Sequence, residues 1–186
     1  SYQFVTTQSV TAFNSGSFVQ FNNVTIAEGS FVATRYTADT QNVEQRFVIN
    51  DDRADTTTLT IKVQNSATDT GSATYTRATD IAGLTSTSNV YFLQEVEDGK
   101  FEVYFGDGIL GNAVEDGNII IMNYVVTNKG AANGASVFSS SAAIDTVNSV
   151  HVRTVSSSAG GSEPESIESV KYNAPLDYAS QGHCVT

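Results

Sequence analysis

Alternation of apolar and polar positions is the dominant periodicity in this chain. At residues 57–63 (TTLTIKV), Leu59, Ile61 and Val63 share one parity and Thr58, Thr60 and Lys62 the other, the pattern of a strand with one buried face. The segment 89–128 organises the rest. It holds three apolar runs of strand length, 90–93, 101–105 and 119–126, separated by glycine-bearing turns. The first turn, Glu97-Asp98-Gly99-Lys100, carries an Asp-Gly pair, which supplies the two positive-φ residues of a type I′ hairpin. Phe101, Val103 and Phe105 then alternate with Glu102 and Tyr104. The run 119–126 is apolar nearly throughout, as in a strand covered on both faces. The three runs together predict a β-meander.

Elsewhere the pattern predicts short strands at 2–6, 9–13, 18–26, 31–36 and 45–49, although in 18–26 the apolar residues fall on both parities. An edge strand is expected at 73–77, and further strands at 135–138 and 147–155. Turn signals every 8–12 residues between short strands indicate a sandwich or barrel-like domain. One helix is expected, over 164–173. Ser162 with Glu165 fits a capping box, Glu163 followed by Pro164 is the alternative start, and Pro175 sets the stop. Ile167 and Val170 share a face of it, and so short a helix requires a docking surface. The fold class is therefore mainly β, an antiparallel β-sandwich/meander domain with one short C-terminal helix. The division expected is 1–88, a β-rich N-terminal part; 89–158, the meander continuing the same or an adjacent β domain; and 159–186, a linker, the short helix and the truncated start of a next segment.

Charge narrows the functional classes. The net charge is −11, and the nine basic residues occur singly along the chain. An acidic surface without a Lys/Arg cluster repels phosphate backbones and anionic bilayers, so neither nucleic acid nor membrane is an expected partner. No apolar run approaches the roughly 20 residues of a membrane helix. The single cysteine, Cys184, has no internal disulfide partner and, with two distant histidines, builds no metal cluster. No nucleophile–base signature, zinc motif or phosphate loop is present. Phe105-Gly106-Asp107-Gly108 begins like a calcium loop but lacks its acidic spacing, and Asn50-Asp51-Asp52-Arg53 reads as a solvated turn. Glu95, Glu97, Asp98 and Glu102 read as solvated hairpin charges, and His151 as a surface residue. No cofactor, metal or small-molecule substrate is expected.

The stretch FGDGILGNAVEDGNIIIMNYVVTNKGAANGA, with Gly106, Gly108, Gly111 and Gly117 at its turns, resembles the baseplate J-like family of contractile-tailed phages. The segment 160–167 (GGSEPESI) resembles the helix start of that family, and Ala174-Pro175 and the closing Cys-Val-Thr agree with it. Within the family, the likeness is to the large baseplate wedge subunits of T-even-type phages. It covers about half of the chain, roughly 89–186. The family pattern has proline near residues 113–114 and arginine where His183 stands. The resemblance implies a non-enzymatic scaffold subunit of the virion tail baseplate, made in the host cytoplasm and cut here from a larger protein. Its implied partners are other wedge subunits and copies of itself, with rearrangement on sheath contraction. Candidate packing residues are Phe105, Gly106, Asp107, Gly108, Gly111, Asn112 and Gly117 in the loops, and Ile167 and Val170 on the helix. The alternative is a β-sandwich recognition module for host-surface glycan, for which Tyr75, Tyr91, Tyr104 and Tyr124 are the available aromatics. A tail-associated hydrolase, needing a carboxylate cleft, is the third reading.

Overall fold

In the computed structural model, the structure describes residues 1–42, 44–141, 143, 144, 147 and 149–181. Cys184 and His183 lie outside the described residues. Residues 1–128 form one compact unit and residues from 129 onward a second.

The first unit is built on a sheet of seven strands: β5 (Ser30–Thr37), β6 (Phe47–Ile49), β7 (Ala54–Gln64), β8 (Ser72–Arg77), β9 (Val90–Glu95), β10 (Phe101–Phe105) and β11 (Ile119–Val126). Their spatial order is β5-β11-β7-β8-β9-β10-β6. All ladders are antiparallel except β8–β9, which is parallel across the connection 78–89. The edge strands β5 and β6 come together. Tyr36 Oη on β5 donates to the Val48 carbonyl on β6 at 2.6 Å, and the Tyr36 and Phe47 rings meet edge-on with centroids 5.7 Å apart. Phe47 continues to Phe105 at 5.6 Å and Phe105 to Tyr75 at 5.5 Å, so a chain of edge-to-face aromatics links β5, β6, β10 and β8 across the interior. The sheet is curled nearly into a barrel around this core. The fold is mainly β with one C-terminal helix, as the pattern predicts.

Local pattern and packing agree on the long strands. Leu59, Ile61 and Val63 of β7 are buried, and on β11 Ile120, Met122 and Val125 are fully inaccessible. Burying each such side chain contributes about 1.5–3 kcal/mol. The β9–β10 turn has φ of 61° at Asp98 and 67° at Gly99, and the Lys100 N–H donates to the Glu97 carbonyl at 3.3 Å, as the Asp-Gly pair predicts.

The third run does not complete a meander. β11 lies between β5 and β7, pairing with β5 along its whole length. The 106–118 connection is long enough to carry it away from β10, and an almost wholly apolar strand is better covered between two long strands than at an edge. Opposite Tyr124, β7 bulges: Asn123 pairs with Thr60 but Val125 with Asp55. Thr58 repairs the ladder, its Oγ1 accepting from the Val125 N–H at 2.9 Å.

Several other expectations change. Residues 73–77 belong to an interior strand, β8, rather than an edge. The run 18–26 is not one strand, because Asn23 adopts φ 52° and breaks it. Instead β1 (Phe4–Thr6) pairs with β4 (Ile26–Glu28), and β2 (Phe13–Asn14) with β3 (Val19–Gln20), as a two-stranded ribbon. In the second unit, the described residues of 135–138 and 149–155 lie outside any strand, and Val147 forms only an isolated bridge with Ile144. Without a neighbouring ladder, alternating valines do not make a strand.

The helix α1 (Ile167–Gln181) starts later and runs farther than 164–173. Ser166, not Ser162 or Glu163, caps it: its Oγ accepts from the Ser169 N–H at 3.2 Å and its carbonyl from the Val170 N–H at 2.9 Å. Glu165 instead accepts from Ser169 Oγ and from Asn173 Nδ2. Pro175 lies inside α1, where it removes one N–H from the ladder without ending it.

Candidate functional site

The loop 105–112 leaves β10 and folds back on itself. Asp107 Oδ1 accepts from the Ile109 and Leu110 N–H groups, each at 2.9 Å. These backbone donors, Leu110 first, hold the Asp107 carboxyl below its usual range. The Gly108 N–H closes the turn on the Gly111 carbonyl at 3.0 Å. A Cβ on Gly106 would sit 2.3 Å from the Gly111 carbonyl carbon, and one on Gly111, at φ 93°, would sit 2.8 Å from Val90 Cγ2. Both glycines are therefore required by close approach, whereas Gly108 and Gly117 meet open space and serve only their positive φ.

The base of the loop is tied into the sheet. The Gly111 N–H donates to the Thr85 carbonyl at 3.1 Å and the Asn112 N–H to the Ser88 carbonyl at 2.8 Å. Asn112 Nδ2 donates to Tyr75 Oη and to Asn89 Oδ1, both at 3.1 Å. Phe105 packs on the core. The tip faces the other way: Ile109 is 74% exposed and Leu110 is also exposed. The loop is thus a fixed base presenting an apolar tip. Gly117 closes the following turn, where its N–H donates to the Ala38 carbonyl at 2.9 Å and the Asp116 carboxylate accepts from the Thr40 N–H.

Ile167 and Val170 belong to the second unit and are exposed on α1, Ile167 at 73%. The approach to that helix is clasped. Asn133 grips Gly161 in both directions, Nδ2 donating to its carbonyl at 2.7 Å and Oδ1 accepting from its N–H at 3.1 Å. Ser158 exchanges backbone bonds with Gly134 and Ala135. The segments 133–135 and 158–161 are thereby joined.

One feature escaped the sequence. Glu102, expected as a solvated charge, is 2% exposed and forms a bidentate pair with Arg46, which stands 56 residues earlier. The Arg46 hydrogen bonds hold its carboxyl below the usual range, against the opposing effect of burial. Nothing in the local pattern marks this pair, because its partners meet only when β6 is laid beside β10.

The chemistry available is limited. Two backbone donors on Asp107 Oδ1 and a guanidinium on both oxygens of Glu102 hold these carboxyls below their usual range, which disfavours either as a base. Among the described residues no three His, Cys, Asp or Glu side chains are placed to hold a metal ion, and no helix is long and apolar enough to cross a membrane. Of the tyrosines available for a glycan face, Tyr75, Tyr91 and Tyr124 are buried in the core.

Comparison with known proteins supplies what the geometry lacks. Residues 33–139, more than half of the chain, match the family described as bacteriophage baseplate wedge protein gp6, third domain. A curated relative, baseplate wedge protein gp6 of Enterobacteria phage T4, is 26% identical over 211 aligned residues, covering 100% of this chain and 30% of that protein. The chain thus spans less than a third of the length of that relative. The matched region contains β6 to β11 and the whole of the loop 105–112. The chain belongs to the family of the third domain of bacteriophage baseplate wedge protein gp6.

Proposed function

We propose that this chain is a structural scaffold domain of the tail baseplate wedge, acting in the virion and without enzymatic chemistry. The observation that carries the reading is the family match over the curled sheet and its 105–112 loop. In this reading the protein is made in the host cytoplasm, joins other wedge subunits and copies of itself, and moves with the baseplate when the sheath contracts. The relation to the baseplate J-like family belongs to the same proposal. The loop serves both directions of packing: Gly106, Gly111 and Asn112 hold it to its own sheet, and the Ile109–Leu110 tip meets a neighbour. Ile167 and Val170 on α1 provide a second contact.

The test is affinity capture of the full-length protein from cells carrying the whole tail gene cluster, followed by negative-stain imaging. Wedge- or ring-shaped particles containing other tail proteins are expected, with loss of assembly on Ile109→Asp or Val170→Asp. Assembly unaffected by both substitutions would remove the assignment of these contacts. A lone protein that binds cell-surface glycan would remove the scaffold reading itself.

A further inference from the structure

The sequence contains one Asn-Gly pair, Asn133-Gly134. Such a pair is chemically labile in water, because glycine carries no side chain to shield its nitrogen from the neighbouring carboxamide. The glycine nitrogen attacks the asparagine Cγ, the Cγ–Nδ2 bond breaks, and Nδ2 leaves as ammonia with the proton that the glycine nitrogen gives up. Water then opens the resulting succinimide at either carbonyl, to aspartate or to isoaspartate. The net change is amide plus water to acid plus ammonia, with no oxidant or reductant.

Both partners of that attack are engaged elsewhere. The Gly134 N–H, which must lose its proton, donates to the Ser158 carbonyl at 2.8 Å. The Asn133 carboxamide is bound at both ends by Gly161, Nδ2 to its carbonyl at 2.7 Å and Oδ1 to its N–H at 3.1 Å. Attack makes Cγ tetrahedral and expels Nδ2, so it cannot proceed while that planar pair is kept. The flanks are pinned as well. The Ser158 N–H donates to the Ala135 carbonyl at 2.8 Å, and Ser158 Oγ accepts from the Ala135 N–H and donates to the Ala132 carbonyl. Gly161 fits only as glycine, since a Cβ there would sit 2.3 Å from the Lys129 carbonyl oxygen. Asn133 is nevertheless exposed, so water for the hydrolysis is at hand once the pair opens.

The clasp accepts an amide and rejects the acid. Aspartate at 133 has no donor for the Gly161 carbonyl, and two acceptor oxygens would face each other where a hydrogen bond now stands. Isoaspartate adds a methylene to the main chain ahead of Gly134 and displaces the N–H that Ser158 receives.

We propose that Asn133 is a deamidation site guarded by its own fold, and that the clasp between 133 and 161 is a one-way latch. Conversion waits on opening, and the acid it yields prevents reclosure. This goes beyond the scaffold reading and stands without it.

Peptide-mapping mass spectrometry of the 186-residue chain, held in mildly alkaline buffer, tests it. Conversion at Asn133 is expected to be at least about tenfold slower in the native chain than in the same chain in denaturant, since two hydrogen bonds must first be given up. Gly161→Ala is expected to remove most of that difference, with β7 and β11 amide protection unchanged. Asn133→Asp, which mimics the product, is expected to speed amide exchange at Gly134, Ser158 and Gly161 by at least about tenfold. Equal rates in native and denatured chain, or no conversion in either, would overturn the guarded site. A native rate that Gly161→Ala leaves unchanged would overturn the role of the clasp, and parent-like exchange in Asn133→Asp would overturn the latch.

Discussion

β11 and the N-terminal ribbon are both antiparallel and both rich in aliphatic and aromatic side chains, yet solvent treats them oppositely. Ile120, Met122 and Val125 are inaccessible, while Phe13, Phe18 and Val19 stand in water. The difference is the number of neighbours. β11 has a ladder on each side and a curled sheet over its inward face; each ribbon strand has one ladder and nothing above it. Apolar content therefore does not decide which segment stabilises the fold. Position in the strand order does.

Breaking the comparison at its strong end gives the largest effect. Ile120→Ala is expected to cost about 2–5 kcal/mol in denaturant unfolding, through lost burial and a residual cavity. Next is Gly106→Ala, whose Cβ has no room against the Gly111 backbone. An expected cost of about 1–3 kcal/mol comes with faster proteolysis inside 106–111. Gly108→Ala, at φ 83° in open space, should cost only about 1 kcal/mol. Equal effects at the two glycines would show that conformation, not close approach, shapes the loop.

Glu102→Gln sharpens the same contrast through pH. The buried carboxylate is held below its ordinary value near 4.5 by Arg46, so its charged form is favoured by folding. That stabilisation is present above the ordinary value and is lost as pH falls through the lowered one. At neutral pH the substitution should cost about 1–3 kcal/mol, and the gap to the parent chain should close in acid. A gap that stayed constant down to acid would mean the charge contributes nothing. Smallest of all, Phe18→Ala in dilute solution should move stability by less than about 0.5 kcal/mol.

The same contrast explains what could be read from the chain beforehand. Strand parity is local, so Leu59, Ile61 and Val63, the span of β10 and β11 and the Asp98-Gly99 turn were all legible. Strand order is not local. The insertion of β11 between β5 and β7, the interior place of β8 and the Arg46–Glu102 pair each depend on segments tens of residues apart. The helix start differs from the pattern for another reason. Residues 162–166 hold two serines and two glutamates near one proline, so several caps compete, and Ser166 prevails through its bonds to Ser169 and Val170. Of the candidate contacts, the glycines of 105–112 were visible as turn residues. The apolar tip at Ile109 and Leu110 became evident only once the loop base was seen to be tied to residues 85–89.

Hydrogen–deuterium exchange of the chain tests most directly the claim that place in the strand order, not apolar content, decides which segments stabilise the fold. β7 and β11 amides should be strongly protected, and ribbon amides over 11–26 should exchange freely. Ribbon protection equal to that of β11 would contradict the account.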